Sequence, residues 1–317
     1  MQENEVLCVG ELLIDFFCTE AGVNLSQGEH FMKQAGGAPA NVAAAVSRLG
    51  GKAAFAGKVG SDPFGDFLVQ TLNEVRVNTE LVARDTLSLT TMAFVSLQKD
   101  GERDFMFNRG ADGNFTRSDV PLSRLKQATI VHFGSATAML GGSSLDAYFY
   151  LMENVKREGQ FLSFDPNYRS SLWGSRTQDF VDFARKGASM ADFVKVSGEE
   201  LELITGNGDV TSGVKLLHEL GARTVAVTLG REGTFFSNNE YHAEVPSIPV
   251  QSVDSTGAGD AFVGAVLFQL SRPNMNFEGI TFSQWADIIT FANKVGAFVC
   301  TKVGAISALP SYKEVEG

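Results

Sequence analysis

Cysteine is scarce, with only Cys8, Cys18 and Cys300 in 317 residues. No pair stands at metal-ligand spacing, and an odd number does not close into a disulfide framework. The sequence therefore predicts reduced thiols and a cytoplasmic protein, not a secreted scaffold. The four histidines are scattered and form no metal motif. No apolar run reaches about 18 residues, so a membrane-spanning helix is not expected. The opening Met1-Gln2-Glu3-Asn4-Glu5 lacks the basic region of a signal peptide. Positive charge is also short. Lys and Arg number 26 against 37 Asp and Glu, and the net charge of −11 argues against nucleic-acid or membrane-surface partners. Two nucleotide fingerprints are missing. Only Gly10 stands where a G-x-G-x-x-G would follow the first apolar run, and there is no G-x-x-x-x-G-K-[ST]. No repeat, low-complexity tract or linker interrupts the chain.

What is present is a 44% hydrophobic chain, enough for a large core, written as short apolar runs separated by helical patterns. Val6 to Gly10 reads as a buried strand, and Ala53–Ala56 as another. Later strands are expected at Thr129–Phe133, Gln160–Phe164, Phe193–Val196 and Thr224–Leu229. Helices are expected at about Ser144–Glu158, Thr177–Ser189, Glu199–Thr205 and Gly213–Leu220. Apolar strands alternating with helices imply an α/β fold with a mostly parallel sheet covered on both faces. Ligands gather at the carboxyl ends of such strands. The motifs at Asp165, Ser197, Thr228 and Asp254 are read as lying at or just after strand ends. One excursion breaks the pattern. Thr90–Gln98, a hairpin turn at Asp100-Gly101 and Arg103–Asn108 read as a β lid that pairs with the segment near Ile14 to Phe31.

The stretch Asp254-Ser255-Thr256-Gly257-Ala258-Gly259-Asp260 runs into the apolar segment Ala261 to Leu270. That is how a helix N-terminus reads. Its first N–H groups lack intrahelical partners, and glycines let an anion approach them. Asp260 in the first turn sets a carboxylate beside that cradle, which suits phosphoryl transfer to a hydroxyl. The plainer alternative is a helix capped by Asp254 or Thr256, with Asp260 as a dipole partner. Other segments carry the same two readings. Gly36, Gly37 and Asn41 open a helix with Pro39 in its first turn, and either touch a ligand or only make the turn. Asp15 is a sugar ligand or a loop acid. Arg169 grips an oxygen-rich ligand or lies on the surface. Ser197 and Glu200 form a capping box or organise a magnesium shell. Thr228, Gly230 and Gly233 pass beneath a nucleotide or join a hairpin. Asn293 falls off the apolar stripe of its helix and is free to face a ligand.

Assembled, the chain resembles the ribokinase-like carbohydrate kinases over nearly its whole length. The resemblance rests on Gly36 to Asn41 through Gly57-Lys58-Val59-Gly60 and on Asp254 to Asp260. Within the family it is most similar to the fructokinases, through Gly10 to Phe16, Asp104 to Phe107 and Asp165 to Arg169. The resemblance implies one three-layer domain over residues 1–317, with a β lid from about 12–34 and 90–112. It implies Asp260 as base and the backbone of Gly257, Ala258 and Gly259 as anion hole. Asp15, Gly36, Gly37 and Asn41 would bind sugar, helped by Arg109 and Arg169. Lys195, Ser197, Thr228, Gly230, Gly233, Gly259 and Asn293 would border the nucleotide, and Glu200 would organise Mg2+. Asp254, Thr256, Val299, Lys302, Gly304 and Ala308 match a monovalent-cation site, typically potassium. Two positions depart from the family pattern: Ser197 replaces a common asparagine, and Ala308 replaces a serine. The implied reaction is transfer of the γ-phosphate of ATP to the 6-hydroxyl of D-fructose. The implied partners are sugar and ATP, with a homodimer through the lid. A 2-keto-3-deoxygluconate kinase, a ribokinase and a non-catalytic sugar- or nucleotide-binding protein are the rivals.

Overall fold

The computed structural model describes residues 4–97, 103–273 and 275–317. Strand β1 (Glu5–Val9) shows how the layers arise. Its side chains alternate, Val6 and Cys8 entering one apolar cluster and Leu7 and Val9 the other. All four are fully buried, as a strand covered on both faces requires. The other strands are β2 (Leu13–Cys18), β3 (Phe31–Gly36), β4 (Lys52–Gly60), β5 (Asn78–Asp85), β6 (Met92–Leu97), β7 (Arg103–Asn108), β8 (Ile130–Phe133), β9 (Phe161–Phe164), β10 (Phe193–Ser197), β11 (Thr224–Thr228), β12 (Thr234–Ser237) and β13 (His242–Val245). The longer helices are α1 (Ala38–Arg48), α2 (Pro63–Glu74), α3 (Gly142–Arg157), α4 (Thr177–Ala188), α5 (Gly198–Thr205), α6 (Val210–Leu220), α7 (Ala258–Leu270) and α8 (Phe282–Val299).

The large sheet has the order β13-β12-β11-β10-β9-β8-β1-β4-β5. It is parallel from β11 to β5, and β12 and β13 are added antiparallel. The expected strands from Thr129 to Leu229 are β8 to β11, and the expected helices are α3 to α6. α6 starts three residues earlier than its apolar pattern, because Asp209 Oδ1 accepts from Ser212 N at 2.8 Å and caps it there. β5 and β13 carry no continuous apolar run, because each pairs at an outer position of the sheet and stays largely half-buried or exposed.

One face of the sheet is covered by α1, α7 and α8, whose apolar residues share a cluster with Val6, Cys8 and Phe55. α7 is buried almost all round, from Asp260 to Phe268. It can lie so close to α1 because position 264 is glycine. A Cβ there would come within 2.4 Å of Ala45 Cβ and 3.0 Å of Val42 O. That contact brings the start of α1 beside the start of α7.

A second sheet, of order β3-β2-β6-β7, stands apart. As expected, the segment near Ile14 pairs with the Thr90–Asn108 region, β2 running parallel to β6. The expected Asp100-Gly101 turn lies outside the described residues. Aromatic packing seats this sheet on α2. Phe16 stacks on Phe94 at 4.9 Å and meets Phe64 edge-on at 5.6 Å, while Lys33 Nζ lies 3.6 Å above the Phe67 ring. Its remaining surface exposes Met32, Leu97 and Met106. The chain leaves β1 for this sheet through Gly10–Leu12 and returns from Gly36 into α1.

Candidate active site

α7 begins without a side-chain cap. Its N-cap is Gly257 at φ 76°, a left-handed conformation that glycine adopts freely. Asp254 does not cap the helix. Its Oδ1 accepts from Thr256 N (2.9 Å) and Thr256 Oγ1 (2.7 Å), and its Oδ2 accepts from Gly304 N (3.0 Å). The capping alternative is thereby set aside. The amides of Gly257, Gly259 and Asp260 have no hydrogen-bond partner among the described residues, whereas Ala258 N is tied to Ser255 O at 3.2 Å. The expected donor set of 257, 258 and 259 is thus corrected at Ala258, whose amide closes the turn, and Asp260 N stands open in its place. Aligned amides at a helix start make an anion site. Lys195 Nζ stands against it, 3.2 Å from where a Cβ on Gly259 would lie.

Asp260 is nearly buried. Its Oδ2 accepts from Asn41 Nδ2 at 2.8 Å, and its Oδ1 has no partner among the described residues. A carboxylate only accepts, so the amide nitrogen of Asn41 must face it and Asn41 Oδ1 points away. That Oδ1 is buried with no partner, a cost that a ligand hydroxyl relieves. Asp15 lies on β2 against Gly36, whose added Cβ would come within 2.0 Å of Asp15 Oδ2. Burial first, then the negative charge of Glu11, pushes the Asp15 carboxyl up to about 7, against the pull of Arg169. Arg169 itself is exposed, with Nη1 donating to Tyr168 O at 2.9 Å. Arg109 is held by the loop after β8 and the start of α3. It donates to Thr137 O (2.9 Å) and Ser144 Oγ (2.7 Å) and lines a cavity of about 600 Å³ with Thr90, Asn108 and Gly141. Asp15 therefore has one arginine bearing on it, Arg169.

Behind the anion site lies a buried charge cluster. Lys195 Nζ pairs with Asp165 Oδ2 at 3.0 Å. Burial, then Glu200 and Asp260, raise the Asp165 carboxyl against Lys195. Burial opposes the Lys195 ammonium, but Asp165 and then Glu200 outweigh it and hold the proton on. The Ser197–Glu200 capping box is realised: Ser197 Oγ accepts from Glu200 N (3.1 Å) and Glu200 Oε2 from Ser197 N (2.7 Å). Glu200 Oε1 also accepts from Tyr168 N at 2.7 Å, tying the loop after β9 to α5. With both oxygens held by amides, Glu200 suits a metal brought in by phosphates and reached through water, the usual habit of magnesium.

At the far end of the sheet, Thr228 closes β11, and Gly230 and Gly233 turn the chain into β12. The hairpin reading of that turn holds. Asn293 is corrected: it is not free to face a ligand. Its Oδ1 accepts from Thr234 Oγ1 (2.7 Å), and its Nδ2 donates to Val245 O (2.9 Å), so the side chain ties α8 to β12 and β13. The placement of Asp254 at a strand end is also corrected, since β13 stops at Val245 and an irregular segment intervenes.

The residues expected at the cation site lie on two joined segments, the turn at 253–256 and the end of α8 with the chain that follows it. Val253 N and Asp254 N both donate to Cys300 O, at 2.7 and 3.2 Å, and Asp254 Oδ2 holds Gly304 N. Val299 and Ala308 are buried nearby in the same cluster, and Lys302 Nζ lies over Phe298 at 4.5 Å. Backbone carbonyls and one carboxylate are oxygen donors that suit a hard cation. Ala308 offers no side-chain oxygen, so its contribution is limited to backbone. No group of three or more His, Cys, Asp or Glu side chains fit to hold a metal occurs among the described residues.

Three buried acids escaped the set of site residues read from the sequence: Glu11, Asp112 and Asp165. Asp165 carries a signal, the first polar residue after the apolar run 161–164. Glu11 carries none, because its partners Ala38, Ser135 and Ala136 are distant in sequence, and Asp112 has only Arg109 close by, its hydrogen-bond partners Thr91 and Thr137 lying 21 and 25 residues away.

A family model for pfkB family carbohydrate kinases matches residues 3–312. A maize protein named Fructokinase-1 is 42% identical over 313 residues, 98% of this chain and 96% of the relative. The crystal structure of a fructokinase from Xylella fastidiosa with bound ATP superposes with a TM-score of 0.89 at 33% identity, over 99% of this chain and 98% of that one. A double mutant of the Vibrio cholerae O395 fructokinase, solved with fructose, ADP and a potassium ion, gives 0.86 at 31% identity, over 100% and 99% of the two chains.

Proposed function

Because the chain belongs to the pfkB family of carbohydrate kinases, we propose that it transfers the γ-phosphate of ATP to the 6-hydroxyl of D-fructose. One juxtaposition carries the reading. The open Oδ1 of Asp260 belongs to the same helix start as the unpartnered amides of Gly259 and Asp260, and Asn41, bonded to Asp260, keeps its Oδ1 open as a hydroxyl acceptor. Relatives named fructokinase, and solved relatives holding ATP or fructose with ADP, support the choice of sugar and nucleotide.

Asp15, Gly36, Gly37, Asn41 and Arg169 hold the sugar so that its hydroxyl meets Asp260 Oδ1. Asp260 orients that hydroxyl for in-line attack and takes its proton late, because the phosphoryl transition state is loose. The amides at the start of α7 and the Lys195 ammonium stabilise charge on the moving group. Lys195, Ser197, Thr228, Gly230 and Gly233 border the nucleotide. Glu200 would order the water shell of a magnesium ion on the phosphates, which would neutralise developing charge. Asp254, Thr256, Val299, Lys302, Gly304 and Ala308 would hold a potassium ion, which would supply positive charge beside the same turn. The small sheet acts as a lid that excludes water. Its exposed Met32, Leu97 and Met106 suit a second copy of the chain. A cytoplasmic location is the reading that three unpaired cysteines favour.

The test is ATP-coupled turnover across fructose, ribose, 2-keto-3-deoxygluconate and a nucleoside, with and without potassium. Fructose is expected to give the highest kcat/KM, and potassium to raise it. Preference for the acid sugar overturns the substrate, and no sugar-dependent ADP release on any substrate overturns the enzyme.

A further inference from the structure

Glu11 sits at the crossing between the two sheets, 2% exposed, between the end of β1 and the start of β2. Burying a carboxylate is costly unless donors surround it. Here they do. Oε1 accepts from Ala38 N at 3.0 Å and Ala136 N at 3.3 Å, and Oε2 accepts from the Ser135 hydroxyl. Burial still outweighs these donors and raises the Glu11 carboxyl above its usual range. Three protein donors hold its two oxygens, which assigns Glu11 to the protein frame.

The three partners lie on two segments, the start of α1 and the loop after β8. Ala38 is the first residue of α1, the helix that delivers Asn41 to Asp260. The N-cap of α1 is Gly37, without a side-chain cap, and no acid lies in its first turn. Its positive end is nevertheless met by a carboxylate from another element, Glu11. Ser135 and Ala136 begin the loop after β8. Within it, Ser135 Oγ accepts from Ala138 N at 2.8 Å, and Thr137 O accepts from Arg109. Thr137 Oγ1 also donates to the buried Asp112 at 2.7 Å. Glu11 itself stands four residues before Asp15, on the same crossing segment.

Resting on the kinase reading above, we propose that Glu11 is the positioning residue of the acceptor site. It caps α1 from outside the helix and locks that helix, the β1–β2 crossing and the loop after β8 into one frame. Through Ala38 it sets Asn41, and through Asn41 it sets Asp260. It touches neither sugar nor nucleotide. Its influence therefore falls on the acceptor half of the reaction, while the ATP half, built on β10, β11 and α5, is untouched.

The experiment compares Glu11→Gln, Glu11→Ala and Glu11→Asp in the full chain, with KM for fructose, KM for ATP, kcat and the pH profile of KM for fructose. Glu11→Ala is expected to lower kcat by about 10–100-fold through displacement of Asn41 and Asp260. KM for fructose should rise, and KM for ATP should stay within about twofold. Glu11→Gln keeps one acceptor for Ala38 N and is expected to recover part of kcat. It also removes the charge facing Asp15, so the acid limb of KM for fructose, set by Asp15 between Glu11 and Arg169, should move to lower pH. Glu11→Asp keeps the charge but is too short to reach all donors, so the limb should stay in place while kcat falls. Hydrogen exchange at the amides of Ala38, Ala40 and Asn41, measured without any substrate, is expected to accelerate in Glu11→Ala. This readout stands even if the panel reassigns the sugar. Unchanged exchange at those amides in a folded Glu11→Ala sinks the capping role. So does an equal rise in both KM values, which marks general loosening.

Discussion

α7 and the four-stranded sheet divide the work of the site in opposite ways. α7 is buried almost all round, pressed against α1 where Gly264 meets Ala45. The small sheet is half-buried, rests on α2 through a few aromatic rings, and exposes Met32, Leu97 and Met106. The rigid element carries the proposed base and anion site, whose geometry must hold to fractions of an ångström. The lightly seated element carries Asp15, the proposed sugar ligand, on a sheet proposed to close over the sugar. Precision is placed where packing is dense, and capture where packing is sparse.

The largest way to break this division is Asp260→Asn. Turnover is expected to fall by roughly 10²–10⁴, with KM for ATP little changed; single-turnover kinetics checks it, and near-normal chemistry refutes the assigned base. On the other side, Asp15→Asn should raise KM for fructose while sparing kcat. Losing a charged hydrogen-bond acceptor amounts to about 1.5–3 kcal/mol, roughly 10–100-fold in KM, read from initial rates. Gly264→Ala tests whether rigidity matters to chemistry. The added Cβ must displace α1 or α7, costing about 1–3 kcal/mol in a denaturant melt. It should lower kcat by disturbing the Asn41–Asp260 pair, and a destabilised variant with unchanged kcat separates packing from catalysis.

Titration sharpens the contrast further. The Asp15 carboxyl is lifted to about 7 by burial and then by Glu11, and a hydroxyl donates best to its ionised form. KM for fructose is therefore expected to rise as pH falls below about 7. Free-protein stability moves the other way. A carboxyl raised in the folded state favours folding most when protonated, so this contribution grows as pH drops from about 7 towards the unfolded value of ~3.9 and is lost as pH rises through 7. A thermal melt series with and without fructose reads both signs. The smallest effect is expected from Phe64→Ala, which removes the edge contact under Phe16, worth about 0.5–1.5 kcal/mol beyond area. Its mark is more ATP hydrolysis without sugar, from a lid less firmly seated.

Much of this is legible in the residues alone. The buried parallel strands β1, β8, β9, β10 and β11 announce themselves because a strand covered on both faces is mostly apolar along its length, with only a few polar residues such as His132, Ser163 and Lys195. The anion turn is legible because a helix start bounded by glycines is a local property, decided by backbone sterics and unpaired amides within seven residues. The Glu200 box is equally readable, four residues wide.

What the sequence hides is whatever depends on distant partners. Asn293 has the right chemistry to face a ligand, yet Thr234 and Val245 take its amide, and nothing local foretells them. Arg109 and Arg169 look alike on paper. The loop after β8 claims the first, and the field at Asp15 belongs to the second. The seven residues from Asp254 to Asp260 determined that an anion could be held. That Asn41, 219 positions away, should aim the neighbouring acid, with Glu11 capping its helix, was decided only when α1 packed on α7. Hydrogen bonds of that span exist only in the folded chain, because the entropy of bringing their ends together is met by the whole core and not by the residues that make them.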